Sequence, residues 1–151
     1  MRIYFNTSAL NRPFDDLSST RVRLEAEAVV ALLEAVEAGL VEWVGSDYLD
    51  FEIGQDPDSE RVRRVGSLAD LARRRIEVSE AVTDRARNLE RAGLRGLDAL
   101  HVASAEAGEA DLLITTDDRM LRRSRRARLA LAVRVVTPVE AVELDPRRTQ
   151  R

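Results

Sequence analysis

The sequence predicts an α/β fold with three layers, α/β/α, around a mainly parallel sheet of four or five strands. Three observations predict it. Short runs rich in β-branched, aromatic or aliphatic residues recur at 2–5, 41–44, 112–114 and 133–136, separated by segments with helical periodicity. Leu112-Leu113-Ile114 is apolar at every position, as a strand covered on both faces must be. The chain's 151 residues, 44% of them apolar, suffice for one domain with a substantial core. With no internal repeat or linker, residues 1–144 are expected to form that domain and 145–151 a loose tail.

Taken in order, Arg2-Ile3-Tyr4-Phe5 is a first strand, and Asn6-Thr7-Ser8 are turn and cap formers at its carboxyl end. A short helix begins at Ala9 and Leu10 and ends in the turn-rich 11–16. Ser18, Ser19 or Thr20 caps a long helix whose apolar stripe is Val22, Ala26, Val29, Val30, Leu33 and Val36, with Gly39 as its stop. A strand at 41–44 leads to a cap at Ser46 and a helix from Asp47 to about Ile53 that carries Glu52. Pro57 favours a new helical start, and 61–72 reads as an amphipathic helix. Residues 76–78 suit an edge strand, and Ser79 caps a helix through Leu89. Asp98 starts the next helix, heading an apolar stripe with Val102 and Ala105 at i+4 and i+7. After the strand 112–114, a helix dense in arginine runs from Met120 to Leu131. Strand 133–136 and a last turn of helix from Thr137-Pro138 close the domain.

Composition excludes several chemistries. There is no cysteine and one histidine, which removes disulfides, thiolate metal sites and imidazole-built zinc sites. All 24 basic residues are arginine, so neither a P-loop nor a Schiff base has its lysine. A phosphoacceptor receiver domain, which shares this architecture, also needs a lysine near its site. The net charge of -3 argues against indiscriminate nucleic-acid binding, though not against a local basic patch. No apolar run is long enough to span a membrane, and no signal peptide is visible, so cytoplasmic residence is the expectation.

Four positions fall at strand ends or nearby helix starts: Asn6, Glu52, Asp98 and Asp117. In open α/β sheets this carboxyl edge is where ligands bind. Three carboxylates and an amide supply oxygen donors only, which suits Mg²⁺ or Mn²⁺, ions able to bind phosphates and activate water. Two readings stay open, because Asp98 and Asp117 would equally serve as helix N-caps, and periodicity does not place Glu52 with the other three.

Four blocks carry a resemblance: residues 3–16 (IYFNTSALNRPFDD), 46–53 (SDYLDFEI), 97–105 (LDALHVASA) and 113–121 (LITTDDRML). Together and in this order they resemble PIN-domain proteins, over nearly the whole chain up to Pro138. The resemblance implies a parallel sheet of four or five strands with an acidic metal site at its edge. Many bacterial members are VapC-type toxins, endoribonucleases dependent on one or two Mg²⁺ or Mn²⁺ ions and neutralised by a cognate antitoxin. Glu52, Asp98 and Asp117 match the family's metal-site acids position by position. Asn6 departs from the pattern, which has aspartate there. It keeps the shape and one oxygen but loses a full negative charge, whether by natural drift or by an introduced Asp→Asn change. The resemblance therefore implies a poorly active ribonuclease, or a PIN-like module that retains only RNA or protein binding.

Thr7, Ser8, Thr115 and Thr116 are candidates for hydrogen bonds behind the site, with caps as the alternative. Asp118 either supports Asp117 or stabilises a helix N-terminus. His101, three residues after Asp98, either approaches the site or packs in the core. Arg119, Arg122 and Arg123 open an arginine run through Arg128 that either guides an RNA backbone or forms a solvated helix face. Expected partners are an RNA substrate, an antitoxin and a second copy in a homodimer, with no membrane. The helices at 20–39 and 61–72, with Leu24, Val41 or Leu68 left exposed, are the candidate partner surface, unless they merely cover the sheet.

Overall fold

The computed structural model describes residues 1–148. Five strands, β1 (Arg2–Phe5), β2 (Glu42–Ser46), β3 (Arg74–Ile76), β4 (Leu112–Ile114) and β5 (Arg134–Val136), form one parallel sheet in the order β3-β2-β1-β4-β5. Eight helices connect and flank them: α1 (Thr7–Asn11), α2 (Thr20–Glu37), α3 (Asp47–Gly54), α4 (Ser59–Ala69), α5 (Glu80–Arg91), α6 (Gly96–Ala107), α7 (Asp118–Arg126) and α8 (Pro138–Glu143). This is the three-layer α/β/α arrangement the sequence predicts. Parallel pairing forces a crossover after every strand, which is why helices cover both faces.

β1 is the central strand, with Ile3 in register with Trp43 of β2 and Leu112 of β4. Ile3, Tyr4 and Phe5 are fully buried, as a strand covered on both faces requires. Phe5 meets Trp43 edge to face at a centroid distance of 5.1 Å, in the range aromatic pairs prefer. From β1 the chain goes to β2 and β3 on one side and reaches β4 and β5 on the other. The switch point therefore lies between the carboxyl ends of β1 and β4, where an open α/β sheet makes its crevice.

Local chemistry sets most boundaries. Ser19, Ser46, Ser79 and Thr137 each cap the helix that follows, accepting a backbone N–H. Gly39, at φ +73°, ends α2 in the left-handed region. At the end of α6, Gly108 lies where a Cβ would come within 2.5 Å of Val44 Cγ1 and 3.3 Å of Ile76 Cγ1, so only glycine fits against β2 and β3.

Several boundaries differ from expectation. α6 begins at Gly96 with Arg95 in the N-cap position and no side-chain cap, so Asp98 lies inside the first turn rather than starting the helix. α4 occupies Ser59–Ala69 rather than 61–72, capped by Asp58, and Pro57 precedes the cap. The edge strand is Arg74–Ile76, drawn upstream by parallel pairing of Val44, Gly45 and Ser46 with Arg74, Arg75 and Ile76. α7 stops at Arg126 instead of reaching Leu131. Ala127 turns extended (ψ 136°), Arg128 N–H donates to Ala92 O and Arg85 donates to Ala130 O, so tertiary bonds capture 127–131. On the candidate partner surface Leu24 is exposed, whereas Val41 is buried and Leu68 packs partly against the core. Val30, assigned to the apolar stripe of α2, is exposed. Of the expected tail, residues 149–151 lie outside the described residues. Asp145 is buried and bonded to Arg147. Among the described residues no helix is long and apolar enough to cross a membrane.

Candidate functional site

The carboxyl edge of the sheet carries two neighbouring groups of polar residues. In the first, Asn6 follows β1 and caps α1. Its Oδ1 accepts from Ser8 N at 3.0 Å and its Nδ2 donates towards Met120 Sδ at 3.3 Å. Both ends of the amide are thereby occupied, and the residue is buried. The next residue, Thr7, donates its hydroxyl to Glu52 Oε1. Glu52 Oε1 also lies 3.1 Å from His101 Nε2, and Tyr48, one helical turn before Glu52, donates to Oε2 at 3.0 Å. Burial alone would raise the Glu52 pKa. The hydrogen bond from His101 and the charge that ring carries when protonated, with the donors Thr7 and Tyr48, outweigh it and hold the carboxyl at about 2.

The second group is Asp98 and Asp117. Asp117 caps α7, its Oδ1 accepting from Arg119 N at 2.9 Å and Met120 N at 3.3 Å. The capping alternative thus describes one oxygen of Asp117; among the described residues its Oδ2 has no hydrogen-bond partner and Asp98 caps no helix. Burial first, and the negative charge of Asp117 second, push the Asp98 pKa up; positive charge on His101 and Arg123 opposes the rise and Glu52 adds to it. Asp98 thus feels both of the other acids. Yet no three acidic or histidine side chains among the described residues are close enough together to form a ready cation cage.

Behind these acids, Ser8 Oγ stands 3.2 Å from Thr115 Oγ1 and accepts from Thr116 N at 3.2 Å, while Asp117 N donates to Thr115 Oγ1 at 3.1 Å. Ser8, Thr115 and Thr116 therefore tie the ends of β1 and β4 together, while Thr7 ties the end of β1 to Glu52 on α3. Asp118 faces away, paired with both terminal nitrogens of Arg21 on α2 at 2.6 and 3.0 Å. This ion pair clamps the start of α7 against α2. His101 is buried between the rings of Tyr4 and Tyr48, so it packs and touches Glu52 at once.

Asp98 and Asp117 open onto a cleft of about 680 Å³ that also includes Arg95, Arg119 and Arg123. Arg119 and Arg123 are shared with an adjoining cleft of about 450 Å³, lined further by Arg91, Arg122, Arg126 and Arg128. Arg125 instead pairs with Glu140 at 3.1 Å. Among the described residues none of Arg119, Arg122, Arg123, Arg126 and Arg128 has an acid within ion-pair distance, unlike Arg21, Arg61, Arg75 and Arg85 elsewhere. Uncompensated positive charge is concentrated beside the acids.

Sequence reasoning missed Tyr48, Tyr4, Ser46, Arg91 and Arg95. Tyr48 was findable, since it lies four residues before Glu52 on one helical face. Arg91 and Tyr4 reach their groups only through the tertiary fold.

The donor set agrees in part with a hard cation. Among the described residues Asp98 and Asp117 Oδ2 offer uncommitted carboxylate oxygen, Glu52 offers what its three donors leave, and Asn6 offers an uncharged oxygen that already accepts from Ser8 and keeps one lone pair. The architecture is shared with known proteins. One chain of the solved VapBC2 structure from Rickettsia felis, bound to a DNA fragment from their promoter, matches with a TM-score of 0.58 at 16% identity, covering 91% of this chain and 98% of that one. No curated protein matches the sequence. A model of the PIN domain family matches residues 3–126, the span that contains all four site positions, and on that match this chain belongs to the PIN domain family.

Proposed function

We propose that this PIN-domain chain is an endoribonuclease of the toxin–antitoxin type, dependent on Mg²⁺ or Mn²⁺ and weakened by Asn6. The observation that carries the reading is the juxtaposition of an unneutralised acid pair, Asp98 and Asp117, with a cleft of unpaired arginines. Two carboxylates facing one cleft, one of them with its proton affinity raised by burial and by the other's charge, attract a divalent cation, and a row of guanidiniums attracts a phosphodiester backbone. When bound, the ion would supply charge neutralisation at the phosphate and an activated water. Asp98 and Asp117 would hold it, and Glu52 would reach it through lone pairs its neighbours leave free. Arg119 and Arg123, common to both clefts, would orient the phosphates that enter. Asn6 would contribute less than an aspartate, since its amide carries no charge and already serves Ser8 and Met120.

The engaged Asn6 amide also favours a second reading, a module that has lost catalysis and binds RNA or protein. Cleavage of RNA by the Asn6→Asp variant, with Mn²⁺ and with EDTA, separates the two. Appearance of EDTA-sensitive cleavage, lost again on adding Asp98→Asn, is the expected result. Continued silence with RNA still bound would leave the binding module. The likeness to a chain of VapBC2 supports an antitoxin as protein partner. The exposed Leu24 offers a place for that partner or for a second copy.

A further inference from the structure

Beneath the acid edge a single line of hydrogen bonds runs into Glu52. Leu49 N–H donates to Ser46 Oγ at 3.0 Å, Ser46 Oγ lies 2.7 Å from the Tyr4 hydroxyl, Tyr4 lies 2.8 Å from His101 Nδ1, and His101 Nε2 lies 3.1 Å from Glu52 Oε1. Ser46 and Tyr4 are fully buried and His101 is 1% exposed, so every polar hydrogen in the line needs an acceptor within it. Burial keeps the Tyr4 hydroxyl protonated, its pKa pushed far up.

Placing the hydrogens leaves one arrangement. Suppose His101 were doubly protonated, or carried its proton on Nδ1. The Tyr4 oxygen would then accept from His101, and the Tyr4 O–H would turn to Ser46. Ser46 Oγ would then accept from both Tyr4 and Leu49, and its own hydrogen would have no acceptor among the described residues. With the proton on Nε2 alone, Ser46 donates to Tyr4, Tyr4 donates to His101 Nδ1, and Nε2–H donates to Glu52. No hydrogen is stranded and no second charge is buried.

The far end of the line is asymmetric. Glu52 Oε1 receives both His101 and Thr7, whereas Oε2 receives Tyr48 alone. We propose that His101 is a positioning residue: held as the Nε2–H tautomer by the Tyr4 hydroxyl, it pins Glu52 Oε1 and leaves Oε2 as the oxygen open to a bound cation. The cation in this statement rests on the nuclease reading; the tautomer does not. The residues that would set Glu52's orientation, Tyr4 and Ser46, are fully buried, out of reach of an RNA chain.

Because the chain has one histidine, ¹⁵N-histidine labelling gives a spectrum of His101 alone. The metal-free chain is expected to show a protonated Nε2 and an unprotonated Nδ1, and Tyr4→Phe to mix the tautomers by removing the donor to Nδ1. An Nδ1–H or doubly protonated ring in the unmodified chain overturns the relay. Mn²⁺ affinity, read from the paramagnetic signal of the free ion, tests the positioning role in the Asn6→Asp background. Removing a group that orients a metal ligand costs about 10-fold or more. His101→Leu is therefore expected to weaken Mn²⁺ by about that factor, and His101→Gln, which restores an N–H at a similar reach, to recover most of it. Equal affinity in all three overturns the role. Should Asn6→Asp bind no Mn²⁺ at all, the nuclease reading fails and the positioning role with it, while the spectrum still decides whether the line runs as stated.

Discussion

The two halves of the acid edge are built on opposite terms. Around Glu52 three side chains donate to the carboxylate, and its pKa falls to about 2. Around Asp98 burial and a second acid act together, and its proton affinity rises. One carboxylate is stabilised by the fold, and the other is an open demand for positive charge. The contrast separates a carboxylate whose position the fold fixes, with part of one oxygen left open, from a pair left to a ligand, because strain persists at functional sites where surrounding structure can carry it.

The largest expected effect breaks the open half. In the Asn6→Asp background, Asp98→Asn should lower RNA cleavage by about 10²–10³-fold, the scale on which loss of one electrostatic stabiliser acts. Retained turnover would move the chemistry away from this pair. Next, Arg123→Ala should weaken RNA binding by roughly 10-fold at low salt and flatten the slope of log affinity against log salt by about 1. An unchanged slope would make the arginine cleft a solvated face.

Stability sharpens the same contrast with opposite signs. Glu52→Gln leaves one accepting oxygen and turns an NH2 group towards the donors on the other, so either Tyr48 or the pair His101 and Thr7 loses its acceptor, which should cost about 1–2 kcal/mol in chemical denaturation. Asp98→Asn removes a like-charge contact and should gain about 0.5–1 kcal/mol, as replacements of strained site residues do. Equal signs would erase the distinction. The smallest effect is in pH. Glu52, lowered from its ordinary 4.5 to about 2, contributes stability that is present above 4.5 and lost as pH falls towards about 2. Asp98, raised, contributes in the other direction: its ionised form costs stability near neutrality, and that cost is relieved as pH falls through its raised value. Metal-free unfolding followed downwards from neutral pH should therefore show a shallow rise and then a fall, with Asp98→Asn removing the rise and Glu52→Gln reducing the fall.

Much of the fold was legible because it rests on short-range chemistry. Strands 2–5 and 112–114 appear as read, and the caps at Ser46, Ser79 and Thr137 need only a hydroxyl beside free N–H groups. The end of α7 was illegible because arginine is a good helix former, and what stops the helix is Ala92 and Arg85 on a distant segment. Within the site, the four positions at the carboxyl edge came from spacing and resemblance. Their division into a satisfied and an unsatisfied half did not. That division depends on His101 meeting Tyr4 across 97 residues and on Arg91 of α5 lining a cleft with α7. A run of arginines looks the same in sequence whether or not acids lie opposite it.

Gly108 gives α6 a seat. The helix that presents Asp98 at one end butts at the other against Val44 and Ile76, at a spot with no room for a methyl group. Asp98 stands about 15 Å along that rod at 1.5 Å of rise per residue. A stiff rod held this close at one end has the height of its other end above the sheet constrained there too. Where the acid stands over the sheet thus depends on the size of the side chains of β2 and β3 at the far end. Mechanical tolerance limits which residues β2 and β3 can carry beneath the helix.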